Sequence, residues 1–124
     1  MSTPPALSPE AFNKFKTIST ATLCTCLFKR GLRSQLIQDV RPVGALRENM
    51  VGPAYTVRYM PAREDLNTID VFLNPEHPQR KAVEECPPGA VLVFDSRKDA
   101  RAASAGAILV TRLQVRGGAG GVTA

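Results

Sequence analysis

An α/β fold is what this sequence predicts, and three stretches carry the prediction. The run AVLVF at 90–94 is continuously β-branched and aromatic, the pattern of a strand covered on both faces in a parallel sheet. An alanine-rich stretch with Ile108, Leu109 and Leu113 follows and stops at Gly117-Gly118, as a helix does. GGVT then opens another strand. Strand, helix and strand in succession make a right-handed crossover, which places AVLVF and GGVT parallel in one sheet.

The chain has 124 residues, 44% of them apolar, enough for one small core and so for a single domain over 1–124. The formal charge of +5 is spread along the chain, which argues for solubility and an anionic ligand, and against a nucleic-acid arm. MSTPPALSPE at the start lacks a basic and an apolar region, and no apolar stretch approaches the ~20 residues needed to cross a bilayer. A soluble, cytoplasmic protein with no membrane partner is expected. The three cysteines, Cys24, Cys26 and Cys86, are too few for a disulfide framework, and the first two sit too close for zinc. They are expected to be small buried apolar side chains in a reducing compartment.

Taken in order, Ser8-Pro9-Glu10 combines a capping hydroxyl, a first-turn proline and an acid, which predicts a helix from Pro9 to about Lys16. A second helix starts near Ser19, carries Leu23, Leu27 and Phe28 at helical spacing, and ends at Gly31. From Leu36 onward Ile37, Val40 and Val43 are interrupted by Pro42 and Gly44, which suits short extended pieces. Gly52-Pro53 makes a turn. Tyr55, Val57 and Tyr59 then alternate with Thr56 and Arg58 in a half-buried strand ending at Pro61. The next stretch is less decided, with a loop around Glu64 and Asp65. His77-Pro78 opens a short helix with Ala82 and Val83, which Pro87-Pro88 terminates.

In open parallel sheets, ligands gather beyond the carboxyl ends of the strands. One such end is Asp95-Ser96-Arg97, and the other lies past Ala124. Asp95 suits a ligand-orienting carboxylate at the rim of a site and suits a loop-capping aspartate equally. In SAGAILVTRL two readings stand side by side. If the helix starts near Ala105-Gly106, the free N–H groups of Gly106, Ala107, Ile108 and Leu109 form a cradle for a carboxylate or phosphate. If it starts near Lys98, Gly106 is a close-packing position. Arg112 and Arg116 share one helix face, which fits an anionic partner and, more simply, solvent. His77 is the sole histidine, so neither a histidine triad nor a multi-histidine metal site is available. Glu64, Asp65 and Asp70 follow no calcium-loop pattern. No GxGxxG or phosphate-loop lysine is present.

ISTATLCTCLFKRGLRS, MVGPAYTVRYMPARED and HPQRKAVEECPPGAVLVFDSRKDARAASAGAILVTRLQVRGGAGGVT, in that order and spacing, resemble the family named for the regulator of ribonuclease activity A. That family includes the 4-hydroxy-4-methyl-2-oxoglutarate aldolases. The resemblance implies a layered α/β domain of the swivelling β/β/α type, assembled as homotrimers or hexamers. It further implies cleavage of 4-hydroxy-2-oxo acids to pyruvate, and decarboxylation of oxaloacetate, with a divalent metal, Mg2+ or Mn2+. Such a metal would disperse the charge of a pyruvate enolate. The alternative it implies is a non-catalytic, protein-binding regulator of a ribonuclease.

By the same resemblance the pyruvyl carboxylate lies on the N–H groups of Gly106, Ala107, Ile108 and Leu109, which favours the late helix start. Ala107 stands where the family often has glycine or an acid. The family's GGVT strand continues into an aspartate-glycine turn, an arginine that holds substrate and an acid that binds metal through its waters. Ala124 stands where that aspartate is expected, and the arginine-acid pair is not among these residues. The expectation is therefore a domain of this type truncated at its C-terminus, without a catalytic or metal-ligating residue of its own. A longer chain or a second chain would complete it, or it is a form without aldolase activity.

Overall fold

Both serines singled out as helix starts act as N-caps in the structure, a computed structural model that describes residues 7–45, 48–99 and 101–123. The chain divides into two units, Met1–Val51 and Gly52–Ala124. In the first, helix α1 spans Pro9–Thr17, with the Ser8 hydroxyl oxygen accepting from the Ala11 N–H at 3.2 Å. Helix α2 spans Thr20–Lys29, and Ser19 accepts from the Thr22 N–H at 3.2 Å. These oxygens satisfy donors that a helix start otherwise leaves unpaired.

Gly31 ends α2 with φ of 82°, while the Leu32 N–H donates to Leu27 O at 3.0 Å and the Gly31 N–H to Phe28 O at 2.9 Å. This crossed pair is the Schellman closure that a left-handed glycine permits. The short extended pieces expected after Leu36 do not form strands among the described residues. Asp39 and Gly44 take positive φ there (62° and 90°), as does Ser34 just before it (54°). Asn49 pins the later part of this unit to α1, its Nδ2 donating to the carbonyls of Phe15 at 3.0 Å and Ile18 at 2.6 Å.

The second unit holds strands β1 (Ala54–Arg58), β2 (Val91–Asp95) and β3 (Gly120–Thr123), with helices α3 (Pro78–Glu85) and α4 (Ala107–Val115). The undecided stretch contains a 3-10 turn at Ile69–Leu73. The sheet has the order β1-β2-β3 and is parallel throughout. Tyr55 lies opposite Leu92, and Leu92 opposite Gly121, so the crossover from AVLVF to GGVT forms as expected.

Leu92 and Phe94 from β2, Val83 and Cys86 from α3, Ala90, and Leu113 from α4 make the buried core, with Tyr55, Val57, Tyr59, Ala105 and Leu109 packed against it. The core thus lies on one face of the sheet. On the other face Val91 is buried but Val93 and Val122 are only half-buried, so the expected two-sided cover of β2 is partial. Cys86 is buried as expected, whereas Cys26 is exposed.

Glycines shape the two ends of this unit. A side-chain carbon on Gly52 would stand 2.3 Å from the Gly89 carbonyl oxygen, so the two backbones can approach only without one. At the end of α4, Gly117 takes φ of 83°, with the Gly118 N–H on Leu113 O at 3.0 Å and the Gly117 N–H on Gln114 O at 2.9 Å, repeating the closure seen at Gly31.

Candidate functional site

The carboxyl ends of the strands converge on the loop between β2 and α4. Ser96, just past β2, brings its hydroxyl within 2.5 Å of Ser104 Oγ, and Ser104 Oγ lies 2.8 Å from Thr123 Oγ1 at the end of β3. Ser96 and Thr123 are themselves 3.2 Å apart. Three hydroxyls from the ends of two strands and the approach to α4 therefore close on one another.

Asp95 holds the near side of this loop. Its Oδ1 accepts from the Arg97 N–H at 3.0 Å and its Oδ2 from Arg58 Nε at 2.7 Å. The Arg97 N–H first, and then the Arg58 guanidinium, hold its carboxyl below the usual carboxylate range. One oxygen caps the turn and the other is held by Arg58 of the neighbouring strand β1. Arg97 and Lys98 adopt left-handed conformations, φ of 56° and 60°, which cost a side-chain-bearing residue about 1–2 kcal/mol each. Such strain persists where surrounding bonds over-determine the backbone. Here the Asp95 carboxylate and a bond from the Asp99 N–H to Ser96 O at 3.0 Å do so.

A cavity of about 580 Å³ opens beside this loop, lined among others by Tyr59, Glu64, Arg97, Asp99, Arg101 and Ser104. Asp99 and Arg101 neutralise each other, Arg101 Nε and Nη2 donating to the two carboxylate oxygens at 2.9 and 2.7 Å. The Arg101 hydrogen bonds bring the Asp99 carboxyl down to about 2. Burial pushes the Tyr59 hydroxyl up, against the opposing effect of its hydrogen bond from Gln79. A second, mostly apolar cavity of about 350 Å³ is lined by Leu92, Phe94, Leu109, Leu113 and Val122 among others.

Helix α4 starts late, at Ala107 with Gly106 as its cap, rather than near Lys98. Gly106 makes no side-chain cap bond and the first turn has no acid. Among the described residues no acceptor takes the N–H of Gly106, Ala107, Ile108 or Leu109, so the four donors sit in a row at the positive end of the helix. The structure therefore brings these four together. Gly106, Ala107, Ile108 and Asp95 line neither cavity, and Leu109 lines only the apolar one.

Arg112 and Arg116 meet an acid of this chain. Arg112 Nε and Nη2 donate to the Glu84 carboxylate at 2.8 and 2.9 Å, and Arg116 Nη1 adds a contact at 3.2 Å, bracing α4 against α3. His77 stands at the N-cap position of α3 without a side-chain capping bond, and its ring packs on that of Phe72 with centroids 4.9 Å apart. Among the described residues, no three His, Cys, Asp or Glu side chains are grouped so as to hold a metal ion. The expectation attached to Ala124 lies outside the described residues. Sequence reasoning missed Tyr59 as a hydroxyl donor, Gln79, and the Ser96, Ser104 and Thr123 cluster. The nearest signal was the position of Ser96 and Thr123 at strand ends.

The RraA-like family model, described as Aldolase/RraA, matches residues 20–124. The chain belongs to the RraA-like family. A solved structure of Streptomyces coelicolor RraAS2, "an unusual member of the RNase ES inhibitor RraA protein family", shares 30% sequence identity with it at a TM-score of 0.70. The match takes in 96% of this chain and 54% of that one, so the chain spans about half the length of the RraA-like protein it resembles. No match occurs among curated proteins. The mixed helix and parallel-sheet architecture of the second unit is accordingly an RraA-like α/β fold, and no described helix is long and apolar enough to cross a membrane.

Proposed function

We propose that this chain supplies the carboxylate-binding part of a 2-oxo acid lyase, an aldolase that releases pyruvate from 4-hydroxy-2-oxo acids of the 4-hydroxy-4-methyl-2-oxoglutarate type and decarboxylates oxaloacetate. The observation that carries this reading is the row of vacant N–H groups from Gly106 to Leu109, at the carboxyl end of a parallel sheet in a chain of the Aldolase/RraA family. Backbone donors at a helix start suit a carboxylate because partial positive charge and hydrogen-bond geometry act together there. The role assigned to these residues is to bind and orient one end of the substrate. The described side chains do not form a metal site, so Mg2+ or Mn2+ belongs to the proposal with ligands from outside them. A homotrimer or homohexamer, or a second chain completing the fold, belongs to the same proposal.

Titrating pyruvate into the 15N-labelled chain tests this. The amide resonances of Ala107, Ile108 and Leu109 are expected to move with pyruvate and stay still with acetone, which keeps the carbonyl and lacks the carboxylate. Stationary amides under millimolar pyruvate sink the reading. The turnover counterpart is chelator-sensitive pyruvate release in the presence of magnesium or manganese.

A second reading, a non-catalytic regulator that binds a ribonuclease, is favoured by the description of RraAS2 as belonging with RNase ES inhibitors. A salt-sensitive, chelator-insensitive complex with a ribonuclease would support it.

A further inference from the structure

Ser104 lies two residues ahead of the α4 cap, and its carbonyl is held by side chains distant in sequence. The Tyr59 hydroxyl donates to it at 2.5 Å and Gln79 Nε2 at 2.7 Å. Gln79 also donates to the Tyr59 oxygen at 3.0 Å, so the three groups form a closed triangle. Tyr59 follows β1, and its ring is stacked on Phe94 with centroids 5.8 Å apart, which lets the core set the position of the hydroxyl. Gln79 comes from the first turn of α3. On its other side, the Ser104 hydroxyl is engaged by Ser96 and Thr123.

The contrast with a self-capped helix gives this clamp its meaning. At α2 the Ser19 oxygen fixes the helix start and occupies the Thr22 N–H in doing so. A start fixed through the Ser104 carbonyl consumes none of the α4 donors. It also occupies both lone pairs of the Ser104 carbonyl, so that oxygen is not free to accept the Ile108 N–H four residues on, as it would in a longer helix.

We infer that Tyr59 and Gln79 are positioning residues, which hold Ser104 so that the N–H groups of Gly106, Ala107, Ile108 and Leu109 keep one fixed, vacant geometry for a carboxylate. The inference rests on the carboxylate-binding reading above and deepens it by assigning the side chains that set the cradle from a distance.

Tyr59→Phe removes the hydroxyl and keeps the ring on Phe94, and Gln79→Met keeps the chain length and removes the donors. In the ligand-free 13C,15N-labelled chain, both are expected to shift the Ser104 carbonyl resonance and to raise the fast backbone motion of residues 105–109, with the thermal midpoint little changed. With pyruvate as the probe, the dissociation constant should rise about threefold to tenfold, the loss expected when one hydrogen bond's ordering effect is removed. Unchanged motion at 105–109 with unchanged pyruvate affinity overturns the inference. So does a weakening that only follows a fall in thermal midpoint. If the unsubstituted chain ignores pyruvate while both variants loosen 105–109, the positioning role stands and the carboxylate-binding reading falls.

Discussion

Helix α2 and strand β2 carry the same kinds of apolar side chain, and the chain treats them differently. Leu23, Leu27 and Phe28 lie at helical spacing in α2, yet no residue of that helix is buried, and Phe28 is 56% exposed. In β2, Leu92 is completely buried and Phe94 nearly so. The difference lies in what surrounds each element. Strand β2 is the middle of three strands and has α3 and α4 over one face. No described residue of the first unit is buried, so that unit contains no sheet-backed core to cover α2. A hydrophobic stripe states which face of an element needs cover, and only packing partners decide whether it receives any.

The sharpest test of that contrast is a pair of truncations read by urea unfolding. Leu92→Ala deletes a fully buried side chain and should cost about 2–5 kcal/mol, from lost transfer energy and the cavity left behind. Phe28→Ala removes a larger but mostly exposed ring and should stay within about 0.5 kcal/mol. Similar losses from the two would mean that the first unit is as well packed as the second.

What the sequence disclosed follows the same division. The caps at Ser8 and Ser19, the stop at Gly31, the AVLVF and GGVT strands and the closure at Gly117 were legible because each depends on a few adjacent residues. The late start of α4 was undecided from local pattern, since a glycine followed by apolar residues suits both a helix cap and a helix interior. The family resemblance pointed to the cap, which the structure has. The bonds around Ser104 were not legible. Tyr59 and Ser104 are 45 positions apart, Gln79 and Ser104 25, and no periodicity encodes which hydroxyl meets which carbonyl across such separations. The pairing of Arg112 with Glu84 across 28 positions was missed for the same reason. Within the stretch expected to be extended, Asp39 takes a positive φ that no strand accommodates, and the spacing of Ile37, Val40 and Val43 does not disclose it.

The two units also differ in how helix starts are satisfied, and capping substitutions should expose this at a smaller scale. Ser19→Ala removes the oxygen that accepts from the Thr22 N–H, and about 1 kcal/mol of α2 stability should go with it. Amide exchange across Thr22–Leu27 would rise accordingly. Gly106→Ala adds a carbon that meets nothing within 4 Å at an extended backbone position; alanine is the poorer cap but also restricts the unfolded chain, and with the two opposed α4 should change by only a few tenths of a kcal/mol. A loss at α4 as large as that at α2 would show that Gly106 contributes more to its helix than an open cap does.

The smallest effect expected is electrostatic, and it separates ion pairs by what they join. In the first unit Lys14 and Glu10 pair at 2.7 Å within one helix turn. In the second, Arg112 and Glu84 join α4 to α3 with two hydrogen bonds. Those bonds, ahead of the other nearby arginine charges, hold the Glu84 carboxyl below its ordinary 4.5. A folded value below the unfolded one means that the pair's contribution is whole above about pH 4.5 and is lost as pH falls through the depressed folded value. Asp99 follows the same sign from 3.8 down to about 2 under its Arg101 bonds, so its contribution disappears at lower pH. Both pairs are largely exposed, which keeps their worth small. Thermal melts of Glu84→Gln should therefore run below the unsubstituted protein at pH 7 and converge with it as pH drops below 4.5, whereas Asp99→Asn should converge only near pH 2. Melting curves that stay parallel to the unsubstituted protein across this range would mean that neither carboxylate is stabilised by folding, and that the bridge between α3 and α4 contributes no more than a contact within a single turn.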